Sequence, residues 1–200
     1  VLIMRRAHYL PGNKGNQIPS ECIWFDTETV PEINAANEEV HKLNFGYACY
    51  RRRRNGLHWC KAEWIRFETI DEFWEWVISK TRAKTRLHLF SHNGGFDLPV
   101  VNAFEQLPSR GFKLKSAVVD APPMICAWKG HGRTIRFIDT LNIWRVSLAK
   151  LGDSIGLPKL DMPSFEASED EWHTYGKRDV EIICEATIQW FQFIREHDLG

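Results

Sequence analysis

Residues 23–29, Ile-Trp-Phe-Asp-Thr-Glu-Thr, place two carboxylates directly after an apolar run. Large apolar residues in such a run predict a buried strand. Residues i and i+2 of a strand point to the same face, so Asp26 and Glu28 would lie side by side. Adjacent anions repel each other unless a proton or a cation lies between them, and Mg²⁺ or Mn²⁺ suits such an oxygen-rich setting. The pattern alone is more typical of a strand end with two solvated acids, so the rest of the chain must decide.

The composition indicates one globular domain without a strongly basic surface. The 200 residues are 44% hydrophobic and carry no formal net charge, which is enough apolar material for a sizeable core. Zero net charge argues against a protein held on nucleic acid by charge alone, but not against an enzyme whose metals neutralise phosphate. The five cysteines show no Cys-x-x-Cys spacing, so we expect reduced thiols in an intracellular compartment, either cytoplasm or nucleoid. No apolar run reaches the roughly 18 residues of a membrane span, and we expect no membrane partner.

The order of the predicted elements indicates a mixed α/β sheet flanked by helices. We interpret residues 1–21, which proline and glycine interrupt, as an extended segment before a single domain at residues 22–200. Strand patterns occur at residues 22–30, 45–50, 57–67, 87–90, 113–119, 124–128 and 134–138. Helix patterns occur at residues 70–82, 96–107, 147–155 and 168–196. Strands that come first and then alternate with helices are typical of this fold class.

A hairpin is predicted at residues 55–56, Asn-Gly, which separate two strand patterns. The four arginines at residues 51–54 would lie near its tip. They are consistent with a solvated edge that resists aggregation or with a contact to a phosphate backbone. The polar and acidic residues 31–42 are predicted to form a surface loop.

Further acidic residues follow predicted structural breaks. Asp97 begins a predicted helix after a strand and a glycine pair; it could reach a metal or simply favour the positive helix N-terminus. Tyr175 and Asp179 are four residues apart on a predicted helix, so they share one face. A surface tyrosine and an acid that pairs with Lys or Arg would have the same spacing. Asp139 ends an apolar strand and is predicted to cap the following turn. Glu181 repeats the Asp-x-Glu spacing with Asp179, but on a helix the two do not face each other, so Glu181 should be dispensable.

Together, four motifs resemble the DEDD superfamily of 3′–5′ exonucleases, whose fold is ribonuclease H-like. The motifs are residues 25–29, Phe-Asp-Thr-Glu-Thr; 92–97, His-Asn-Gly-Gly-Phe-Asp; 138–141, Ile-Asp-Thr-Leu; and 175–179, Tyr-Gly-Lys-Arg-Asp. The presence of a tyrosine rather than a histidine at position 175 resembles the pattern of the tyrosine (DEDDy) subgroup. The closest resemblance is to the proofreading domain of family B DNA polymerases, in the protein-primed viral and organellar-plasmid branch, and it spans about residues 22–195.

The resemblance implies a role for each matching residue. The metal-binding carboxylates would be Asp26, Glu28, Asp97 and Asp179. Tyr175 would orient the attacking water, and Lys159 would stabilise the scissile phosphate. The residues that hold the single-stranded 3′ end would be Thr29, His92, Asn93 and Phe96. Two divalent cations, Mg²⁺ or Mn²⁺, are the implied cofactors.

The implied activity is metal-dependent hydrolysis of single-stranded DNA from its 3′ end to nucleoside 5′-monophosphates. Residues 22–200 would form the exonuclease domain, either as a free-standing nuclease or with a polymerase module in cis or in trans. The motifs do not separate DNA from RNA, because a few contacts around the sugar make that distinction. An exoribonuclease of the same superfamily and a catalytically inactive nucleic-acid-binding module are therefore the alternatives.

Overall fold

A seven-stranded mixed sheet forms the centre of the molecule. The computed structural model describes residues 17–33, 37–54, 56, 58–120, 122–164 and 166–198. The strands are β1 (Glu21–Ile33), β2 (Glu39–Arg52), β3 (Glu63–Phe67), β4 (Arg86–Ser91), β5 (Lys113–Val119), β6 (Met124–Gly130) and β7 (Arg133–Asp139). Their order across the sheet is β3-β2-β1-β4-β7-β6-β5. β1 runs parallel to β4 and β4 parallel to β7, whereas the other neighbours are antiparallel. The predicted mixed α/β architecture is confirmed.

Five α-helices accompany the sheet in the described part of the chain. They are α1 (Ile70–Lys80), α2 (Gly94–Val100), α3 (Ala103–Ser109), α4 (Leu148–Ser154) and α5 (Glu169–Glu196). Ser168 and Glu171 form a capping box at the start of α5, so the two ends of this motif satisfy each other's backbone N–H groups. None of these helices combines the length and apolarity needed to span a bilayer.

Both faces of β1 are buried, and this places the two carboxylates that follow its apolar run. Ile23 and Phe25 pack into the core on the side of α1. Cys22 and Trp24 pack on the opposite side, against α5. Because side chains alternate along a strand, Asp26 and Glu28 continue the face that α5 covers.

Two predicted element boundaries are wrong, each for its own reason. Residues 31–33 and 39–42, predicted as loop, extend β1 and β2 into a long exposed hairpin with Ile33 opposite Glu39. Backbone groups supply the hydrogen bonds of such a ladder whatever the side chains are. The predicted helix at 96–107 is two helices, α2 and α3, because Asn102 adopts a left-handed conformation between them.

The predicted strand at 57–67 is confirmed only from Glu63 onward. Upstream of it, Trp59 forms an isolated bridge with Arg53. The tip of the predicted hairpin includes Asn55 and Leu57, which lie outside the described residues, as do residues 1–16 of the N-terminal segment.

Three of the four arginines at residues 51–54 bind groups of this chain, which neither interpretation of them anticipated. Arg53 donates hydrogen bonds to the carbonyl oxygens of Ile18 (2.9 Å) and Pro19 (3.2 Å). Arg52 pairs with the buried carboxylate of Glu21 at 3.4 Å. Arg51 donates to the carbonyl oxygen of Cys60 at 3.3 Å. The five donors of a guanidinium let one side chain satisfy several carbonyls, so Arg53 ties the end of β2 to the segment that precedes β1.

Candidate active site

Three of the predicted metal-binding carboxylates converge on the face of the sheet that α5 covers. One oxygen each from Asp26, Glu28 and Asp179 lies within 4.8 Å of the others. The predicted side-by-side placement of Asp26 and Glu28 is therefore confirmed, and α5 adds Asp179 to them. The donor set consists of hard carboxylate oxygens only, which is the kind that Mg²⁺ and Mn²⁺ prefer.

A glycine allows α5 to approach the sheet closely enough for this convergence. A Cβ atom on Gly176 would lie 2.7 Å from Cδ2 of Tyr47 on β2. Any larger residue would push the helix outward at this point. Asp179, three residues further along α5, reaches β1 because of this close contact.

The fourth predicted carboxylate, Asp97, lies beside the cluster and not within it. It is only 2% exposed on α2, and its Oδ1 accepts a 2.7 Å hydrogen bond from Oγ1 of Thr27. Thr27 points to the face of β1 opposite Asp26 and Glu28. The structure therefore brings Asp97 to the same strand end from the other side of β1.

Crowding of the carboxylates favours their protonated forms. Desolvation raises the pKa of Asp26 well above its usual range, and the charges of Asp97, Asp179 and Glu28 raise it further. Burial, with the charge of Asp179, raises the pKa of Glu28 to about 7. Burial also raises the pKa of Asp97 to about 7, against the opposing hydrogen bond from Thr27. Protons or cations must offset this negative charge near neutral pH.

One oxygen of Asp179 indicates that the site suits a cation. Oδ1 is buried and has no hydrogen-bond partner among the described residues, whereas Oδ2 accepts from the ammonium of Lys159. A buried carboxylate oxygen normally has a partner. An unpaired oxygen on a carboxylate that lies close to two others is the arrangement expected where a divalent cation binds.

Lys159 and Tyr175 lie together at the edge of the cluster. Nζ of Lys159 is 4.5 Å from the centroid of the Tyr175 ring and pairs with Asp179. Burial raises the pKa of Tyr175, so its phenol is neutral near pH 7. The hydroxyl can therefore donate or accept a hydrogen bond, but it is a poor base.

Thr29 and Phe96, both predicted to hold substrate, share a neighbour that the sequence analysis missed. Oγ1 of Thr29 is 3.0 Å from Nδ1 of His41. The ring of His41 lies edge-on to Phe96, with 5.5 Å between centroids. His41 is part of the stretch predicted as a surface loop, and no signal in the sequence distinguished it. Its place follows from the extension of β2.

His92 is held by the segment that follows β7. Its Nδ1 is 2.8 Å from Oγ1 of Thr140, and its Nε2 is 2.8 Å from the carbonyl oxygen of Val146. Both ring nitrogens of this predicted substrate residue therefore bond within the chain. Only the ring itself is available to touch a ligand.

Asp139 organises the turn at residues 93–94 as well as capping its own turn. It caps the 3₁₀ turn at Thr140–Asn142 by accepting from the N–H of Leu141 at 2.9 Å, as predicted. Its carboxylate also accepts from the N–H groups of Asn93 (3.1 Å) and Gly94 (2.9 Å). Asn93 itself is left-handed, with a φ of 81°. This carboxylate therefore sets the path of the backbone that leads to Asp97.

The two glycines at residues 94 and 95 differ in what surrounds them. A Cβ on Gly94 would lie 2.2 Å from Cζ of the buried Phe137. A Cβ on Gly95 would meet nothing closer than 3.9 Å. Gly94 is therefore required by core packing, and Gly95 faces open space.

The seven-stranded mixed sheet and its flanking helices are consistent with the predicted ribonuclease H-like fold. Two structures of phi29 DNA polymerase, one with primer-template DNA and one with single-stranded DNA, align with TM-scores of 0.61 at 18% identity. Each alignment covers 87% of this chain and 32% of the polymerase. The family B DNA polymerase from the hyperthermophilic archaeon Pyrobaculum calidifontis aligns with a TM-score of 0.52 at 14% identity, covering 91% of this chain and 25% of that one.

The chain thus spans about a third or less of the length of these polymerases. At such identities the likeness shows a shared fold. No protein-family model matches the sequence, and no curated protein sequence matches it.

Proposed function

We propose that this chain is a metal-dependent 3′–5′ exonuclease that releases nucleoside 5′-monophosphates from single-stranded DNA. The observation that carries the proposal is the convergence of Asp26, Glu28 and Asp179 within 4.8 Å. The similar solved structures, which are polymerases bound to primer-template or single-stranded DNA, support a DNA substrate by analogy. The activity would belong to a free-standing nuclease or to the proofreading domain of a family B DNA polymerase.

The carboxylates would hold two divalent cations, Mg²⁺ or Mn²⁺. Asp26, Glu28 and Asp179 would be ligands on the face that α5 covers, and Asp97 would act from the other side of β1, directly or through water. When bound, such cations activate water and stabilise the leaving oxygen of a phosphodiester. The unpaired oxygen of Asp179 supports this assignment.

The other side chains of the site would orient the reactants. The neutral hydroxyl of Tyr175 would hydrogen-bond the attacking water and hold it in line, which is a positioning role. The ammonium of Lys159, beside Asp179, would stabilise negative charge on the scissile phosphate.

The predicted substrate residues would grip the terminal nucleotide. Phe96 offers a partly exposed ring for stacking on a base. Thr29 and Asn93 would supply polar contacts at the same strand end. His92 would act mainly by holding its loop in place, because both of its ring nitrogens already have partners.

A time course on 5′-labelled single-stranded DNA and RNA, with Mg²⁺ or Mn²⁺, tests the proposal. We expect a ladder that shortens from the 3′ end, and we expect resistance in 3′-phosphorylated or circular strands. Faster loss of RNA would favour the exoribonuclease alternative. Cutting of circular strands would indicate an endonuclease instead.

A matched pair of variants links the activity to the cluster. Asp26→Ala with Glu28→Ala should lower the rate by about 10³-fold or more, since metal sites contribute several kcal/mol to transition-state stabilisation. Glu181→Ala should retain the activity, because Glu181 pairs with Arg178 at 3.3 Å and lies outside the cluster. Circular dichroism verifies that both variants fold. Equal activity of the double variant and the wild type would refute the assignment.

A further inference from the structure

A large cavity lies on the α5 side of the sheet, away from the carboxylate cluster. Its volume is about 1110 Å³, and β4, β6, β7 and the C-terminal part of α5 border it. None of the residues that line it belongs to the cluster or was predicted to hold substrate. An α-helix rises about 1.5 Å per residue, so Trp190 in the cavity wall is roughly 16 Å along α5 from Asp179.

One part of the cavity is basic. Its lining contains the positive side chains of Lys84, Arg86, Lys129 and Arg136, and no Asp or Glu from the described residues. The basic side chains are close neighbours by register, since Arg86 lies opposite Thr134, and Lys129 also lies opposite Thr134. A concave surface with one sign of charge attracts a ligand of the other sign. The chemistry of this part therefore suits an anion with several charges.

Buried polar atoms in the same part have no partner in the protein. His88 is 7% exposed, and its Nδ1 has no hydrogen-bond partner among the described residues. The same holds for Nε of Arg136, which lies directly opposite His88 in the sheet. Burial, with the charges of Arg136 and Arg86, lowers the pKa of His88 to about 4. A neutral imidazole and a guanidinium therefore form part of the wall where the basic side chains meet.

The rest of the cavity is apolar and aromatic. Along β4 the lining changes from Arg86 and His88 to Phe90, and along β7 it changes from Arg136 to Ile138. The remaining apolar lining residues are Ile18, Pro19, Ile125, Ile143, Trp190, Phe191 and Ile194. An inorganic anion would leave this apolar part empty. A ligand with a planar ring at one end and phosphates at the other would fill both parts.

We propose that this cavity binds a nucleoside polyphosphate, with its phosphates at Arg86 and Arg136 and its base against the partly exposed Trp190. The site goes beyond the proposed exonuclease activity, because its residues take no part in that reaction. Guanidinium groups match phosphate oxygens in a bidentate manner. The positive charges without acids favour phosphate groups, and the adjoining apolar and aromatic wall favours a ligand with a ring over a simple anion.

Isothermal titration calorimetry of the whole chain with dATP, in EDTA, tests the proposal. Without divalent cations, the carboxylate cluster repels phosphate and does not contribute. We expect saturable binding at one site. Deoxyadenosine, which lacks phosphates, and inorganic tripolyphosphate, which lacks a base, should each bind at least about tenfold more weakly. Failure of dATP to bind would overturn the proposal, and so would tripolyphosphate binding as tightly as dATP.

Variants distinguish the cavity from the exonuclease site. Arg136→Gln should weaken dATP binding by about tenfold or more, and Arg86→Gln, at an exposed position, should do the same without a risk to folding. Lys115→Gln, on the exposed strand β5, is the matched control and should bind normally. Asp26→Ala with Glu28→Ala should still bind dATP, and Arg86→Gln should still degrade DNA. Wild-type dATP binding in both arginine variants would overturn the site.

Discussion

Thr27 donates a 2.7 Å hydrogen bond to Asp97, so the residue between two carboxylates of β1 holds a third carboxylate. Asp26 and Glu28 point toward α5, whereas Thr27 points to the other face of the sheet, where α2 places Asp97. One strand therefore organises acidic groups on both of its faces. The hydroxyl also favours the ionised form of Asp97 in a buried setting that otherwise opposes it.

Replacing Thr27 by valine, which has a similar shape, should impair the site without unfolding the protein. Loss of the hydrogen bond raises the pKa of Asp97 further, so less carboxylate is available near neutral pH. Hydrogen bonds to charged groups contribute about 1.5–3 kcal/mol, which corresponds to a roughly ten- to hundredfold lower rate. Steady-state degradation of single-stranded DNA measures this. Thr27→Ser keeps the hydroxyl and should recover most of the activity; a valine variant as active as the serine variant would show that the bond is not needed.

The stability of the metal-free protein should fall as pH rises from about 4 to about 7. The folded pKa values of Glu28 and Asp97 are raised to about 7, so the native state binds more protons than the unfolded chain in that range. These two carboxyl groups therefore contribute their full stabilisation at low pH and lose it as the pH rises through their pKa values in the folded protein. The free energy of unfolding, measured with urea in EDTA, should depend less steeply on pH in Glu28→Gln than in the wild type. Mg²⁺ should restore stability mainly at higher pH, because it binds ionised carboxylates.

Glu181→Gln is the control for this pH series. Glu181 lies two residues after Asp179 and pairs with Lys177 and Arg178 outside the cluster. Its substitution should leave the pH dependence of stability unchanged. If the stability of the wild type, relative to that of Glu28→Gln, rises from about pH 4 to about pH 7, the raised pKa of Glu28 is contradicted.

Removal of the Lys159 charge should affect metal binding and catalysis in opposite directions. Lys159 pairs with Asp179 and lowers the pKa of Asp26 and Glu28. The ammonium also competes with a cation for Asp179, so at a pH where the carboxylates are ionised Lys159→Met should bind Mg²⁺ more tightly, by about fivefold for an effect near 1 kcal/mol. Its turnover should fall by about 10²-fold, because a charge that stabilises the phosphate is lost.

Calorimetric Mg²⁺ titration and single-turnover kinetics measure the two effects of Lys159→Met separately. Lys177→Met is the matched control: it lies two residues from both Tyr175 and Asp179 on α5, and its ammonium is 5.3 Å from the Trp64 ring centroid. It should change neither quantity. Weaker Mg²⁺ binding by Lys159→Met would mean that the lysine supports the cations and does not compete with them.

Tyr175→Phe should slow the chemical step more than it weakens DNA binding. The phenol is neutral and lies beside Lys159, so its proposed contribution is to aim the water. Loss of such orientation costs roughly ten- to hundredfold in rate. Single-turnover kinetics separate binding from chemistry. Tyr50→Phe removes another buried hydroxyl, which is bonded to Glu21, and should leave the chemical step unaffected; an unchanged rate in Tyr175→Phe would remove this tyrosine from the mechanism.

The adjacent glycines at residues 94–95 should respond differently to alanine. Gly94→Ala forces a Cβ against the buried ring of Phe137, and overpacking of this kind costs about 1–3 kcal/mol. Gly95→Ala meets open space within α2 and should change the free energy of unfolding by less than about 0.5 kcal/mol, or increase it slightly. Urea unfolding of both variants measures the difference. Equal stabilities would mean that the contact with Phe137 relaxes without cost.

The fold class could be predicted because its elements are locally marked. The capping box at Ser168 and the apolar run of β1 are both evident in the sequence, and the structure confirms both. The extension of β2 through residues 39–42 was missed because a polar hairpin gains its stability from backbone pairing. The break at Asn102 was missed because neither its left-handed backbone nor the packing around it follows a sequence period.

Local geometry alone determined which acidic residues of one element share a face. Asp26 and Glu28 share a face because side chains on one side of a strand recur every two residues. Tyr175 shares a face with Asp179 because a helix turns once in about 3.6 residues. Only the tertiary structure decided what meets them. The ion pair of Lys159 with Asp179 and the approach of Asp97 through Thr27 each join segments far apart in the chain. The basic cavity beside β4 and β7 likewise brings together segments that are far apart in the chain. Such contacts depend on how the sheet and helices pack, and packing depends on all of the chain at once.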